Sequence, residues 1–413
     1  MRRLVARTFD LVLFGATGFT GRLVAEYLAA HAPEGLRWAL AGRSRAKLEA
    51  VRTALAKSAP ALASLPVLEA DASDASSVRE VAEATGLVVT TVGPYVKHGF
   101  LLASACAEAG TDCCDLTGEV PFVRRLIDEC SASAARTGAR LVPCCGFDSI
   151  PSDLGVFLLS AHLGEQGRRL SRARLVVRRL SGGVSGGTVA SMIGLAELTG
   201  SEPGLRGLLL DPYALIPDRA VDRGLDAGDP WGVGRDRDLG TWTAPFLMAA
   251  INTRVVRRTN ALLGHPYGKG FRYEEVMGTG GGPAGFARAV GVTLGFGAAV
   301  GLALTRPTRA LLAKALPAPG QGPDRATREA GFFEIDVLGW TEGAERPSAV
   351  CHIRGSSDPG YGETAKMLSE SALLLVATRG SKPGGVLTPA VAFGATLAER
   401  LRAAGMRWDV ADR

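Results

Sequence analysis

Three glycines, Gly15, Gly18 and Gly21, stand at the spacing of a turn that lets an anion approach bare backbone. They lie in the run Gly15-Ala16-Thr17-Gly18-Phe19-Thr20-Gly21, after the apolar Leu11-Val12-Leu13-Phe14 and before the helix-compatible Arg22-Leu23-Val24-Ala25-Glu26-Tyr27-Leu28. Strand, glycine turn and helix in that order aim unpaired N–H groups at a ligand, and the helix dipole there favours negative charge. Gly15 permits the tight turn, Gly18 admits a pyrophosphate to the backbone, and Gly21 lets helix and strand pack closely. The run reads as a dinucleotide-phosphate site, the competing reading being a glycine turn without a ligand.

The end of the second strand bears on which nucleotide. In NAD sites an acidic residue about 20 residues past the glycines bonds the ribose 2′-hydroxyl. Here Arg37-Trp38-Ala39-Leu40-Ala41 runs into Gly42-Arg43-Ser44, with Lys47 one turn further on and no acid at the strand end. Arg43 can fork to a 2′-phosphate, Ser44 can donate to it, and Lys47 adds a third positive or donor group. NADPH is therefore expected over NADH.

Other strand ends carry polar or glycine chemistry. Asp71 follows the third strand, placed to meet the adenine amino group or to cap the helix near Asp74. Val92, Gly93 and Pro94, then Tyr95, follow the fourth, where a nicotinamide ribose would lie. Cys144-Cys145-Gly146-Phe147-Asp148-Ser149-Ile150-Pro151 follows the sixth.

The elements that must position these residues alternate. Strands are expected at 9–14, 37–41, 66–70, 87–92, 112–116 and 140–145, with helices at 19–31, 45–58, 75–84, 97–109 and 119–136. The strands are continuously apolar, so both faces of their sheet are covered. The fold class is α/β, a Rossmann-type doubly wound parallel sheet over residues 1–148, then an α+β substrate domain over 149–385 and, at 386–413, a C-terminal helix returning to the first domain. The proline-bearing stretch 201–247 reads as a long loop or lid.

At 413 residues the chain is too long for one ordinary domain, and 46% hydrophobic against 21% charged content suits a globular protein. The net charge of +6 is spread along the chain, which argues against nucleic acid and leaves an anionic ligand or an acidic carrier as partner. Seven cysteines, odd in number and without Cys-x-x-Cys spacing, read as reduced hydrophobes of a cytoplasmic protein, and the five histidines form no metal cluster. Asp10 interrupts the first apolar stretch, so no export signal is read.

Residues 289–304 carry no charge, with Arg288 before them and Arg306, Arg309 and Lys314 after. A spanning helix needs roughly 20 apolar residues. The segment is shorter, so the readings are a buried or homodimer-interface helix, a peripheral lipid-contacting segment, or a span.

Further runs join these: Thr-Val-Gly-Pro-Tyr (91–95), Asp-Leu-Thr-Gly-Glu (115–119), Gly-Phe-Asp-Ser-Ile-Pro-Ser-Asp (146–153), Gly-Gly-Thr-Val-Ala-Ser-Met (186–192) and Gly-Gly-Val-Leu-Thr-Pro (384–389). With the glycine run and Ala-Gly-Arg-Ser (41–44), the chain resembles the saccharopine dehydrogenase-like oxidoreductases, and within them the trans-acting enoyl reductases of polyketide-lipid pathways. The resemblance implies an NADPH-binding domain, a discontinuous substrate domain and reduction of an enoyl double bond on a carrier-bound polyketide, with an acyl carrier or polyketide synthase as partner.

Such a reaction must stabilise an enolate oxygen and protonate the α-carbon. Tyr95 is a candidate acid or an aromatic lid on the cofactor; Asp148 and Ser149 are candidates to orient substrate or water, with Asp148 alternatively a helix cap. Thr188 and Ser191 begin an expected helix. The rival readings are saccharopine-type amino-acid chemistry, with Arg254, Arg257, Arg258, Lys269 and Arg272 forking carboxylates, docking a phosphopantetheine carrier or forming a solvated face, and a non-catalytic NADPH-binding protein at lipid surfaces.

Overall fold

Short apolar runs separated by helices give a parallel sheet covered on both faces. This computed structural model describes residues 7–182, 191, 194, 197, 199, 203–226, 228–304, 308, 321–381 and 383–413. The first half supplies β1 (Leu11–Phe14), β2 (Trp38–Gly42), β3 (Val67–Glu69), β4 (Leu87–Thr90), β5 (Asp112–Asp115) and β6 (Arg140–Val142). The rest supplies β7 (Leu170–Ser181), β8 (Gly234–Asp236), β9 (Thr241–Pro245), β10 (Arg272–Gly280), β11 (Phe332–Thr341), β12 (Ala349–Gly355), β13 (Gly385–Val386) and β14 (Arg407–Asp412).

The first sheet runs β13-β6-β5-β4-β1-β2-β3 and is parallel throughout. The order reverses between β1 and β4, which opens a crevice at their carboxyl ends. Successive side chains of β1 point to opposite faces, so Leu11 and Leu13 enter one core and Val12 and Phe14 the other. β4 and β6 stop sooner than the apolar runs suggested. Thr91 to Pro94 and Pro143 to Cys145 leave the sheet as turns, with Cys144 at φ 65°.

The second sheet runs β14-β12-β11-β7-β10-β9-β8, with β7 paired antiparallel to β11 and parallel to β10. Helix Ile150–Glu165 leaves the first sheet and packs on β7, β11 and β12, and its Leu154 and Leu158 join the two domains in one core.

The C-terminal stretch differs from a single returning helix. The elements that return to the first sheet are helix Thr364–Ala377, which packs on β4, β5 and helix Phe19–His31, and the edge strand β13. Helix Ala395–Ala403 instead turns Leu397, Ala398 and Leu401 inward against helices Thr364–Ala377 and Ile150–Glu165. The chain ends in β14, where exposed Arg407 and Asp409 alternate with buried Trp408, a period-two pattern that pairs with β12.

The apolar segment forms part of helix Gly282–Leu304 and is not buried in its own chain. Gly285 and Ala289 seat it beside Trp242 of β9, but Leu294 is 68% exposed and every residue from Gly297 to Leu302 is exposed.

Candidate nucleotide and reaction site

The glycine turn sits at the crevice. Gly15 has φ +90°, and a Cβ there would lie 2.7 Å from Val92 Cγ2 and 2.9 Å from Thr91 Oγ1. Only glycine fits, because the β1 turn abuts the β4 turn and the backbone is left-handed. A Cβ on Gly21 would fall 2.2 Å from the Gly15 carbonyl oxygen, so the helix starts hard against the turn. Gly18 is the N-cap of helix Phe19–His31 and no side chain caps it. First-turn N–H groups without a side-chain acceptor, beside positions where a Cβ cannot fit, suit a pyrophosphate. Around the turn, Ala16 is buried, while Thr17, Phe19 and Thr20 are half-buried. The Phe19 ring meets Tyr361 edge-on at 5.2 Å and lies under the Arg328 guanidinium at 5.5 Å, so the second domain closes over the turn.

Arg43 is exposed at the end of β2. Ser44 Oγ accepts from the Lys47 N–H at 3.4 Å, capping helix Arg45–Ala56. Lys47 lines a cleft of about 710 Å³ between that helix and Arg22, Glu26 and Arg328. Asp71 does not cap the following helix, since Asp74 accepts from the Ser76 N–H instead. Asp71 Oδ1 accepts from the N–H of Ser73 at 2.9 Å and from its hydroxyl at 2.7 Å, and these bonds, with Arg43 nearby, hold its carboxyl below the usual range.

The β4 turn is fixed from beneath. Glu119 accepts from the N–H of Tyr95 at 3.0 Å and of Val96 at 2.7 Å. Tyr95 is buried with its ring 5.5 Å from Phe122, and its hydroxyl donates to the Thr90 carbonyl at 3.0 Å. Burial pushes its hydroxyl pKa well up, and its proton is aimed away from the crevice. Gly93 is exposed and Pro94 half-buried on the crevice side, and Ser191 Oγ would lie 3.5 Å from a Cβ on Gly93. Thr188 lies outside the described residues.

At the end of β6, Asp148 and Ser149 part ways. Asp148 is half-buried over Gly118, its Oδ2 3.4 Å from where a Cβ on that glycine would stand. Burial alone pushes its pKa up to about 6, and among the described residues no donor reaches its carboxylate. Ser149 is fully buried and donates to Asn252 Oδ1 at 3.1 Å. Asn252 Nδ2 donates to Glu275 at 2.9 Å, and the Tyr273 hydroxyl donates to the same carboxylate at 2.7 Å. Burial raises Glu275 to about 7, and raises Asp115 to about 7 despite N–H bonds from Thr117 and Cys144. The structure thus brings the glycine turn against Thr91 and Val92, and places Asp148 over Gly118 beyond the end of β5, while the hydroxyls of Tyr95 and Ser149 are buried and bonded within the chain. Glu119, Asn252, Tyr273 and Glu275 escaped the sequence reading. Glu119 closes the Asp-Leu-Thr-Gly-Glu run (115–119) and stands just ahead of Val120-Pro121, but it looked like a helix start and carried no role of its own.

The arginines of helix Ala249–Leu262 are neither a solvated face nor carboxylate forks for a substrate. Arg254 pairs with Asp229, and Arg257 with Asp226 at 2.8 Å. Arg258 donates to the carbonyls of Leu215 and Val386, and burial lowers its pKa to about 9. Together they tie Leu209, Pro212, Leu215, Asp226 and Asp229 of the expected lid to helix Ala249–Leu262.

A family model described as the saccharopine dehydrogenase NADP-binding domain matches residues 11–142. A Mycobacterium tuberculosis protein provisionally named a trans-acting enoyl reductase is 45% identical, over 97% of each chain. Proteins named trans-acting enoyl reductase from Mycobacterium bovis and Mycobacterium ulcerans are 42% and 40% identical, again over 97% of each chain. Apo saccharopine dehydrogenase (L-Glu forming) from Saccharomyces cerevisiae shares the fold, with TM-score 0.52 and 15% identity over 98% of this chain and all of that one. With its NADP-binding domain and relatives that match almost end to end, this chain belongs to the saccharopine dehydrogenase-like family, among the trans-acting enoyl reductases, and is an NADPH-dependent oxidoreductase.

Proposed function

We propose that the protein reduces the enoyl double bond of an acyl chain held as a thioester on a carrier, working for a separate polyketide synthase. The observation that carries this reading is Asp148, a half-buried carboxyl over Gly118 with raised pKa and, among the described residues, no donor. The names of the relatives support the reaction class.

When bound, NADPH supplies the hydride that adds to the β-carbon of the substrate. The residues around Gly15, Gly18 and Gly21 would hold its pyrophosphate, Arg43, Ser44 and Lys47 its 2′-phosphate, Asp71 its adenine edge, and Val92 to Pro94 its nicotinamide end. The π electron pair of the substrate moves onto the thioester oxygen as an enolate. Asp148 gives its proton to the α-carbon as the carbonyl re-forms, and solvent restores that proton. A carboxyl with pKa near 6 can do both at neutral pH. Tyr95 and Ser149 support the turn and the wall behind it.

Saccharopine-type chemistry is less favoured, because Arg254 and Arg257 are already paired with aspartates and Arg258 with carbonyls, which leaves only Lys269 and Arg272 of its candidate forks. The test is NADPH consumption with an enoyl-pantetheine thioester, free or on a carrier protein, beside an amino-acid and keto-acid pair. Thioester turnover is expected, and turnover of the amino-acid pair alone would overturn the reading. Asp148→Asn should lower kcat by roughly 10²-fold or more, the scale of a lost general acid, with NADPH affinity unchanged. Full activity in that variant would remove Asp148 from the chemistry.

A further inference from the structure

We propose that helix Gly282–Leu304 inserts into one leaflet of an anionic phospholipid membrane and docks the enzyme there without crossing it. A helix that is apolar all round belongs in a core or in lipid, and among the described residues this one has no core: its most apolar window is only 11% buried. Leu294, Val300 and Leu302 are exposed, and a Cβ added to Gly291, Gly295, Gly297 or Gly301 would touch nothing among the described residues.

Topology excludes a single crossing. The strand before the helix, β10, and the next strand after it, β11, both pair with β7 in the same sheet. A chain that crossed once at this helix would place β11 on the wrong side of the membrane. Length agrees: from Gly291 onward the helix rises about 20 Å, short of the roughly 30 Å hydrocarbon thickness.

Charge and aromatic placement name the occupant. No Asp or Glu occurs between Glu275 and Asp324, while Arg288, Arg306, Arg309 and Lys314 bracket the apolar stretch. Trp231, 58% exposed, lies 5.5 Å from Phe296, and Trp242 lies 4.9 Å from Phe286 with Arg235 over its ring. Tryptophans and arginines beside an apolar helix are the arrangement of a lipid headgroup boundary. A second copy of the chain fits less well. A twofold contact between these helices would set the cations of one copy against those of the other, with no acid in the segment to pair them.

The experiment is flotation of the full-length protein with phosphatidylcholine vesicles, with and without phosphatidylglycerol. The protein should rise with the anionic vesicles. The double variant Leu294→Glu, Val300→Glu should lose roughly tenfold of the bound fraction, since carboxylates are costly in hydrocarbon. Both positions are exposed, so NADPH binding by that variant should be intact and reports its folding. Replacing Arg306, Arg309 and Lys314 by Gln should abolish the preference for anionic vesicles. Absence of flotation, or flotation that survives the double variant, overturns the proposal. A dimer seen by sedimentation that dissolves in the double variant would assign the helix to a second copy instead.

Discussion

Arg43 and Tyr95 show what a residue's neighbours in sequence do and do not reveal. Arg43 stands exposed at a strand end where an NAD site would place an acid, and nothing in the chain needs to fold around it to make that plain. In the proposed role its side chain makes charge-assisted bonds to the 2′-phosphate, each worth about 1.5–3 kcal/mol. Arg43→Ala is therefore expected to raise the NADPH dissociation constant by roughly 10- to 100-fold and leave NADH almost unchanged, read by fluorescence titration. Tyr95 directly follows the nicotinamide-side turn, yet its hydroxyl bonds the Thr90 carbonyl behind that turn. Sequence adjacency gives a position along the chain, not the direction of a side chain. Glu119 was hidden for a related reason, since its two N–H partners lie more than twenty residues upstream.

Elements were legible where their own residues decide them. Parallel strands such as Leu11–Phe14 are apolar on both faces, and the helices between them begin at readable caps such as Ser44 and Asp74. Helix Ala249–Leu262 was not legible, because three arginines within five positions look like a wet surface until their partners are known. Those partners, Asp226, Asp229 and the carbonyls of Pro212 and Leu215, come from an irregular stretch whose fold no periodicity announces. Arg254→Ala would strand Asp229 without its cation in a buried position. Breaking such a pair costs about 3–5 kcal/mol. Chemical denaturation should show a loss of that size, and a near-zero loss would mean that water reaches the pair. The C-terminal strand was missed because its six alternating residues follow a helix and had been read as its continuation.

Across the whole molecule, buried carboxyls set how stability varies with acidity. Burial raises Asp115, Asp153 and Glu275 to about 7, so the folded chain holds their protons more tightly than the unfolded chain. Between about pH 4 and 7 the native state therefore binds more protons than the unfolded one, and stability falls as pH rises through that window. Asp10 and Asp211 are shifted the other way, and their contribution is lost as pH drops below about 4. The thermal midpoint should be highest in mildly acidic buffer, and Glu275→Gln should flatten its decline toward neutrality. A midpoint that climbs steadily from pH 5 to 7 would contradict this ordering.

The nucleotide sheet also has a place in time. Its edge strand β13 and the helix Thr364–Ala377 that covers β4 and β5 belong to the last quarter of the chain. On the ribosome, the first six strands emerge long before either arrives, with β6 unpaired along one edge and the part of one face over β4 and β5 uncovered by that helix. The nascent protein must therefore hold an aggregation-prone half-sheet until residues 364–386 have been made. Cells making it in quantity would lean on chaperones that shield nascent chains, and a fragment ending near Ser149 would precipitate rather than bind nucleotide.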